Sequence, residues 1–164
     1  MNCAGILRTL PFRFVNAEVL ESIMSVNFTA PVLLSAKLVK KKKFSKNSSI
    51  VFISSISGIV CVGGGNSVYS ASKGAINGVM KNMALDLSPK NIRVNSVNPG
   101  MVETSIFDNG IISPEQLEED KKRYPLKRYG KPEEIAYSVI YLLSNASIWM
   151  TGSNIVIDGG YTLL

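Results

Sequence analysis

Short runs of β-branched and apolar residues alternate along this chain with longer segments of helical period, and this alternation constrains the fold more than any other feature. The run at 50–53 has the length and composition of a strand buried on both faces, and two further runs with strand character cover 92–97 and 154–158. Strands separated by helices of a dozen residues or more pair in parallel through crossover helices. The sequence therefore predicts an α/β fold, a doubly wound parallel sheet in three α/β/α layers.

Four segments carry apolar residues at helical spacing and are predicted as helices. They are 16–39, 67–87, 113–124 and 132–144. The first is predicted as one long helix despite Pro31, which removes a backbone hydrogen bond and usually kinks a helix. The last two begin with proline followed by acidic residues, a pattern typical of helix N-termini. At 164 residues the chain has the size of a single domain, 1–164.

The sequence contains no histidine, which excludes Ser-His-Asp and Cys-His catalysis and every histidine-ligated zinc or haem site. Acid–base chemistry must then use Tyr, Lys, Ser or carboxylates. Only two cysteines occur, Cys3 and Cys61, in no CxxC spacing, so neither a disulfide scaffold nor a cysteine metal site is expected. We interpret both as free, buried thiols in a reducing compartment, which predicts a cytoplasmic protein without a metal.

The net charge of +6 owes much to a lysine run at 40–43, with Lys46 close behind. A solvated helix end is the favoured interpretation, because lysines at a helix C-terminus complement its dipole; a polyanion-binding patch is the alternative. Phe44 is the one aromatic residue beside the run, which argues against a stacking platform for nucleic acid. We find neither a run of about 18 apolar residues nor a signal-peptide pattern, so neither a nucleic-acid nor a membrane partner is predicted.

Tyr69 and Lys73 stand four residues apart in a predicted helix, which places a phenol and an ammonium on one face. A phenol titrates near about 10, and a fixed cation nearby lowers that value. The pair could thus donate and accept the proton of a hydroxyl–carbonyl interconversion. An exposed helix pair without function is the alternative. Ser54 and Ser55 directly follow the first buried strand, where a hydroxyl projects toward a ligand of a parallel sheet.

Several motifs, in their order along the chain, extend this pattern. They are Ser-Ser at 54–55, Tyr-Ser-Ala-Ser-Lys at 69–73, Asn-Ile-Arg-Val-Asn-Ser-Val-Asn-Pro-Gly at 91–100, Pro-Leu-Lys-Arg-Tyr-Gly-Lys-Pro-Glu-Glu-Ile-Ala at 125–136 and Thr-Gly-Ser-Asn-Ile-Val-Ile-Asp-Gly-Gly at 151–160. Together they resemble the short-chain dehydrogenase/reductase family, whose fold is Rossmann-like, and within it most closely the 3-oxoacyl-acyl-carrier-protein reductases. Those enzymes usually have glycine where this chain has Lys127.

The resemblance implies a catalytic role for four residues. Tyr69 would be the general acid in reduction and the base in oxidation, and Lys73 would lower its pKa and hold the nicotinamide ribose. Ser55 would hydrogen-bond the substrate carbonyl. Asn27 would support a water-linked proton relay toward the lysine; alternatively, it is a buried polar residue that satisfies backbone groups at a helix irregularity.

Two assignments depend on loop register. Ser55 is preferred for the carbonyl contact by its position in the Ile-Ser-Ser sequence, with Ser54 and Ser57 as alternatives. The segment 105–124 would form the substrate lid, and its apolar side chains, Ile106, Phe107, Ile111 and Ile112, would either border the pocket or belong to ordinary packing.

The resemblance further implies NAD or NADP as cofactor. The residues implied in binding it are Asn2, Ala4, Gly5, Tyr69, Lys73, Pro99, Gly100, Val102 and Thr104. The Asn-Cys-Ala-Gly sequence at 2–5 is similar to the family's Asn-Asn-Ala-Gly element, which ends its fourth strand. No G-x-G-x-x-G phosphate turn occurs. We therefore expect the chain to be the C-terminal two thirds of the family fold, with about three strand–helix units, roughly 90 residues, before it.

Two functions follow from the resemblance. The first is an NAD(P)-dependent oxidoreductase that interconverts a secondary alcohol and a ketone, with a small-molecule or acyl-carrier-bound substrate such as a 3-oxoacyl thioester. The second is a catalytically inactive fragment that retains the half of the fold used for assembly. In either case the resemblance implies a homo-oligomer, a dimer or a tetramer.

Overall fold

The computed structural model describes residues 1–60, 63–104 and 113–163. In this part of the chain three strands, β1 (Ser49–Ile53), β2 (Arg93–Pro99) and β3 (Asn154–Ile157), form a parallel sheet in the order β1-β2-β3. The β1–β2 register runs from Ser49 opposite Arg93 to Ile53 opposite Val97. All three strands lie within one residue or two of the predicted runs, and their parallel pairing confirms the predicted fold class.

Asn2 extends the sheet beyond β1. Its N–H donates to Val51 O at 2.8 Å, and the N–H of Ile53 donates to Asn2 O at 2.9 Å, which makes a parallel bridge opposite Phe52. Asn2 therefore lies beside β1 in the position that the resemblance implies for the end of a further strand.

The predicted helix 16–39 is continuous but irregular. It consists of α1 (Ala17–Met24), a π-helical turn (Ser25–Thr29) and α2 (Ala30–Lys40), and the Asn16 side chain caps its start by accepting from Val19 N at 3.0 Å. Pro31 has no N–H to donate to the carbonyl four residues earlier. The chain accommodates this loss as a wider turn, a feature that often marks functional segments.

Helix α3 (Ser67–Leu87) has the predicted bounds and supplies most of one layer. Its apolar face packs on one side of β1 and β2 in a core of buried residues: Ile50, Phe52, Ile76, Met80, Ala84, Leu87, Ile92 and Val94. On the other side of the sheet Val51 and Val97 pack against Val139 and Leu142 of α5 (Pro132–Leu143). Helices therefore cover both faces, as a doubly wound sheet requires.

Helix α4 (Pro114–Lys121) begins where the sequence predicts and ends three residues before the predicted end. Ser113 and Gln116 form a reciprocal capping box at its start. Beyond it, Lys127 adopts φ 54°, a left-handed backbone in which glycine is unstrained. This conformation gives a physical reason for the glycine that similar enzymes usually carry there.

The interpretation of the cysteines as buried thiols is wrong for Cys3, which is exposed and free. It lies one residue past Asn2, where the chain leaves the sheet edge, so no packing covers it. Cys61 and four residues assigned to the substrate lid, Ile106, Phe107, Ile111 and Ile112, lie outside the described residues.

One helix in the described ranges, Ala17–Lys40, is long and apolar enough to cross a membrane by length and composition. The sequence-based expectation that no such segment occurs therefore needs correction. A single helix of this kind is weak evidence, because a helix that packs in a protein core passes the same test. Val19 and Ile23 of this helix are buried against Val68 of α3.

Candidate active site

Ser54 and Ser55 follow β1 at the carboxyl edge of the sheet and point to different partners. Ser54 is buried, and its hydroxyl donates to Lys73 O at 2.9 Å. Ser55 caps the short helical turn Ile56–Gly58, its Oγ accepts from Ser57 N at 3.2 Å, and its side chain lines the same cleft as Tyr69. Ser54 thus anchors the backbone, whereas Ser55 meets the predicted proton donor.

Tyr69 and Lys73 lie one turn apart near the start of α3. Lys73 is buried, donates from Nζ to Ile53 O at 3.0 Å, and has that nitrogen 5.7 Å from the centroid of the Tyr69 ring. The structure therefore brings Ser55, Tyr69 and Lys73 together at the end of β1. Asn27 borders a different groove, together with Asn2 and Ala4.

Burial sets the direction of both pKa shifts. It raises the pKa of Tyr69, and the nearby Ser55 hydroxyl opposes that rise. It lowers the pKa of Lys73, against a smaller opposing effect of Cys3. In this structure desolvation of the phenol therefore sets the direction of the Tyr69 shift. A lowering of the Tyr69 pKa by Lys73 stays a prediction.

Asn27 lies in the π-helical turn and is buried. Its Oδ1 accepts from Ile6 N at 2.8 Å, and its Nδ2 donates to Ile6 O at 2.9 Å and to Ser72 Oγ at 3.0 Å. The Ser72 hydroxyl in turn donates to Tyr69 O at 2.7 Å. The side chain thus does what the alternative interpretation describes, since it satisfies backbone groups at a helix irregularity. A relay through Asn27 stays a prediction.

Of the residues assigned to the cofactor, Asn2, Ala4 and Gly5 lie on the side of Lys73 and Asn27. Asn2 and Ala4 line a groove that Asn27 also borders. A Cβ on Gly5 would lie 3.3 Å from Lys73 Nζ and 3.6 Å from Asn27 Oδ1, so the glycine keeps the space beside the ammonium open. This open space fits a ligand hydroxyl at the lysine.

Pro99 ends β2, and the next residues lead toward the end of β3. A Cβ on Gly100 would lie 3.1 Å from Asp158 Cα, a tight contact that favours glycine at this close approach. Val102 forms an isolated bridge with Gly130, and Thr104 is exposed. Gly100 shares a cleft with Ser55 and Tyr69, whereas Val102 and Thr104 are not among the described residues that line it.

This cleft, of about 790 Å³, has a second wall that sequence reasoning missed. Its polar residues are Asp120, Arg123, Tyr124, Tyr129 and Tyr161. The Tyr129 hydroxyl donates to Asp120 Oδ2 at 2.9 Å, and Arg123 Nη2 donates to Tyr161 OH at 2.6 Å. Burial and Asp120 together raise the pKa of Tyr129. The sequence signal that could have found this wall is its tyrosines. Tyr124 directly precedes the motif at 125–136, Tyr129 lies within it, and Tyr161 follows the Gly-Gly pair at 159–160.

Among the described residues no group of three or more acidic or cysteine side chains could hold a metal ion. The cleft presents hydroxyls and a paired Asp120–Arg123, in which the two side chains are 3.0 Å apart, and the Lys73 ammonium lies beside the Tyr69 ring. These groups can bind and protonate an oxygen atom at the Ser55–Tyr69 end.

The family model described as enoyl-(acyl carrier protein) reductase matches residues 1–162. A tropinone reductase homolog of Datura stramonium is 39% identical over 99% of this chain and 62% of its own length. The 3-oxoacyl-[acyl-carrier-protein] reductase FabG of Thermotoga maritima is 36% identical over 99% of this chain and 65% of its own length. The chain thus spans just over three fifths of these two curated relatives.

Solved structures agree with this similarity. A short-chain dehydrogenase family protein from Francisella tularensis matches with a TM-score of 0.89 and 34% identity, over 100% of this chain and 72% of the other. A 4-hydroxyisoleucine dehydrogenase mutant complexed with NADH and succinate matches with a TM-score of 0.90 and 33% identity, over 99% of this chain and 67% of the other. With the family model, the curated relatives and the fold in agreement, the chain belongs to the short-chain dehydrogenase/reductase family.

Proposed function

We propose that the protein is an NAD(P)-dependent oxidoreductase that interconverts a secondary alcohol and a ketone. The observation that carries this proposal is the placement of Ser55 and Tyr69 in one cleft, with Lys73 beside Tyr69, at the carboxyl edge of a parallel sheet. Ligands of such sheets bind at this edge. The group contains a proton donor, a second hydroxyl and a buried cation without any histidine.

The space kept open by Gly5 beside Lys73 Nζ supports a dinucleotide at this edge. Lys73 would hold the nicotinamide ribose, with Asn2, Ala4 and Gly5 on one side and the segment 99–104 on the other. When bound, the nicotinamide supplies or accepts the hydride. A structure similar to this one, that of 4-hydroxyisoleucine dehydrogenase, contains NADH, which supports the same class of cofactor here.

Tyr69 supplies the proton in the proposed reduction. Because burial raises its pKa, the phenol is protonated at neutral pH and ready to donate to the carbonyl oxygen. The Ser55 hydroxyl binds the same oxygen and orients it. We expect reduction to be independent of pH through the neutral range and to fall only in alkali, as the phenol ionises.

A 3-oxoacyl thioester, free or bound to an acyl carrier, is the substrate that we propose. The 36% identity to the Thermotoga maritima enzyme supports this choice. The volume of the cleft, about 790 Å³, is also sufficient for an extended substrate. A turnover assay with a 3-oxoacyl thioester, tropinone and cyclopentanol, the latter two taken from relatives' names, tests the choice; a preference for either of the latter would overturn it.

The experiment that tests the enzyme itself is a titration with NADH and NADPH followed by nucleotide fluorescence. Saturable binding to the 164-residue chain is expected, and Tyr69→Phe should keep that binding while it lowers carbonyl reduction by about 100-fold or more. Wild-type rates in Tyr69→Phe would remove this phenol from the mechanism.

A second candidate is an assembly module without catalysis. The observation that favours it is the exposure of large apolar side chains on both outer layers: Leu33, Leu34 and Leu85 on one, and Ile140, Ile148 and Trp149 on the other. Such surfaces pack against other chains, and we propose a homo-oligomer, a dimer or a tetramer. A defined oligomer in light scattering that binds neither nucleotide would favour this candidate over the enzyme.

A further inference from the structure

We propose that Asn77 is a positioning residue for the candidate active site: it ties the segment that carries Ser55, and the end of β2, to the helix that carries Tyr69 and Lys73. The inference builds on the function proposed above, because it explains how that group is held. Asn77 lies on α3 one turn after Lys73 and outside the motifs that the sequence singles out.

Every hydrogen-bonding group of the Asn77 amide is used. Its Nδ2 donates to Asn98 Oδ1 at 3.0 Å and to Gly58 O at 3.4 Å, and its Oδ1 accepts from Ser96 Oγ at 2.9 Å. The side chain is 6% exposed. A buried amide with two donors and an acceptor satisfied in three directions fixes the relative orientation of the elements that it touches.

The bond to Gly58 reaches the loop after β1. In that loop Ser54 donates to Lys73 O at 2.9 Å, and Gly58 packs so closely on α3 that a Cβ would lie 2.6 Å from Lys73 C. Asn77 adds a third attachment, one turn further along the helix. The loop between Ser54 and Gly58, with Ser55 in it, is thus attached to α3 at both ends.

The bonds to Ser96 and Asn98 reach the central strand. Asn98 Nδ2 donates to Ser96 Oγ at 3.0 Å, and the Ser96 hydroxyl is also within 2.7 Å of Asn154 Oδ1 on β3. Asn98 directly precedes Pro99 and Gly100, which lead into the cleft. Asn77 therefore connects α3, the Ser55 loop and the exit of β2 through one side chain.

Only an amide of this length meets the requirement. Aspartate at position 77 has the same shape, but it would place a carboxylate oxygen, which only accepts, against two other acceptors, Gly58 O and Asn98 Oδ1. Leucine at this position would leave both oxygens without a donor. Either change removes one of the three attachments of the loop to the helix, so Ser55 is held less firmly beside Tyr69.

The test uses the full chain labelled with ¹³Cζ-tyrosine and ¹⁵N, and needs neither nucleotide nor substrate, so it stays informative even if the proposed activity is absent. In Asn77→Leu we expect amide exchange at Ser57 and Gly58 to be at least about tenfold faster than in the wild type. We also expect the Tyr69 ¹³Cζ resonance to move toward its position in Ser55→Ala. In the double variant with Ser55→Ala, the Asn77 change should move that resonance no further.

Ser147→Ala is the matched control, because Ser147 is also buried and its hydroxyl accepts from Arg93 Nη1 at 3.0 Å far from the cleft. It should lower global stability without changing either signal. Asn77→Ser, a smaller polar change, gives the same readouts if Asn77→Leu does not fold. Exchange within about twofold of the wild type, or a Tyr69 resonance that responds to Asn77 independently of Ser55, would overturn the inference.

Discussion

Replacing Gly58 by alanine places a methyl group in a contact that has no room for it. The new Cβ would lie 2.6 Å from Lys73 C, 2.7 Å from Gly74 N and 2.9 Å from Lys73 Cβ. Ordinary carbon contacts are about 3.5–4.0 Å, so the Ile56–Gly58 turn and α3 must separate by roughly 1 Å. Two of the three atoms belong to the helix backbone, which cannot rotate away as a flexible side chain does.

The expected destabilisation follows from this geometry. Overpacking in a rigid contact costs about 1–3 kcal/mol, and the backbone neighbours place Gly58→Ala near the upper end. Alanine also restricts the unfolded chain, which offsets about 0.4–1 kcal/mol. We therefore expect a net loss of about 2 kcal/mol in the free energy of unfolding. A shift of about 1 Å at this turn also breaks the Ser55–Tyr69 contact and would lower turnover by about 100-fold.

The assay is urea unfolding followed by far-ultraviolet circular dichroism, with Gly78→Ala as the matched control. Gly78 lies in α3, the helix that Gly58 contacts, and a Cβ there meets nothing within 4 Å. Its replacement should stabilise the isolated chain by about 1 kcal/mol through helix propensity. If Gly58→Ala is as stable as the wild type, the close approach of the turn to α3 is wrong, and so is the account of how Ser55 is held.

Three further predictions concern other parts of the molecule. Ser54→Ala removes the bond to Lys73 O and should destabilise the chain by about 1 kcal/mol in urea unfolding, while nucleotide binding stays unchanged; weaker binding would contradict its purely structural role. The Glu134 carboxylate accepts a hydrogen bond from Arg128 at 2.6 Å, which contributes to lowering the pKa of Glu134 to about 2. The stabilisation of the fold by this carboxylate is therefore present above pH 4.5 and is lost as the pH falls toward 2. Thermal unfolding of Glu134→Gln should therefore differ from the wild type at neutral pH and converge with it near pH 2; a constant difference would contradict this. Trp149, the single tryptophan, is 98% exposed, so its emission should be that of a hydrated indole in the dilute chain and move to shorter wavelength on assembly, measured with light scattering over a concentration series. Unchanged emission across assembly would place it outside the interface.

Elements that depend on neighbours in sequence were predicted well. The helix predicted at 67–87 occurs as Ser67–Leu87, and the strand runs were placed to within one residue or two. The reason is that apolar period, β-branched composition and capping residues act over a few residues. The family resemblance rests on the same local motifs, which is why Ser55, Tyr69 and Lys73 could be named before any contact between them was known.

Properties that depend on residues far apart in sequence were decided by the tertiary structure. Ser54 and Ser55 are adjacent and chemically identical, yet Ser54 bonds to the backbone of Lys73 and Ser55 faces the cleft with Tyr69, because the turn after β1 packs on α3 in one register. Desolvation by the folded chain raises the pKa of Tyr69, against the expectation drawn from Lys73 alone.

The second wall of the cleft and the Asn77 network show the same division. Tyr124 and Tyr161 are separated by 37 positions in the sequence. Their ring centroids are 4.7 Å apart because the segment after α4 packs against the segment after β3. Asn77 gains its three partners from two other elements, and no pattern around it predicts them. By itself the sequence determined the order of helices and strands, the family and the chemistry available. The tertiary structure decided which of the two serine hydroxyls lies in the cleft with the Tyr69 phenol, because burial and hydrogen-bond direction depend on segments that are distant in sequence.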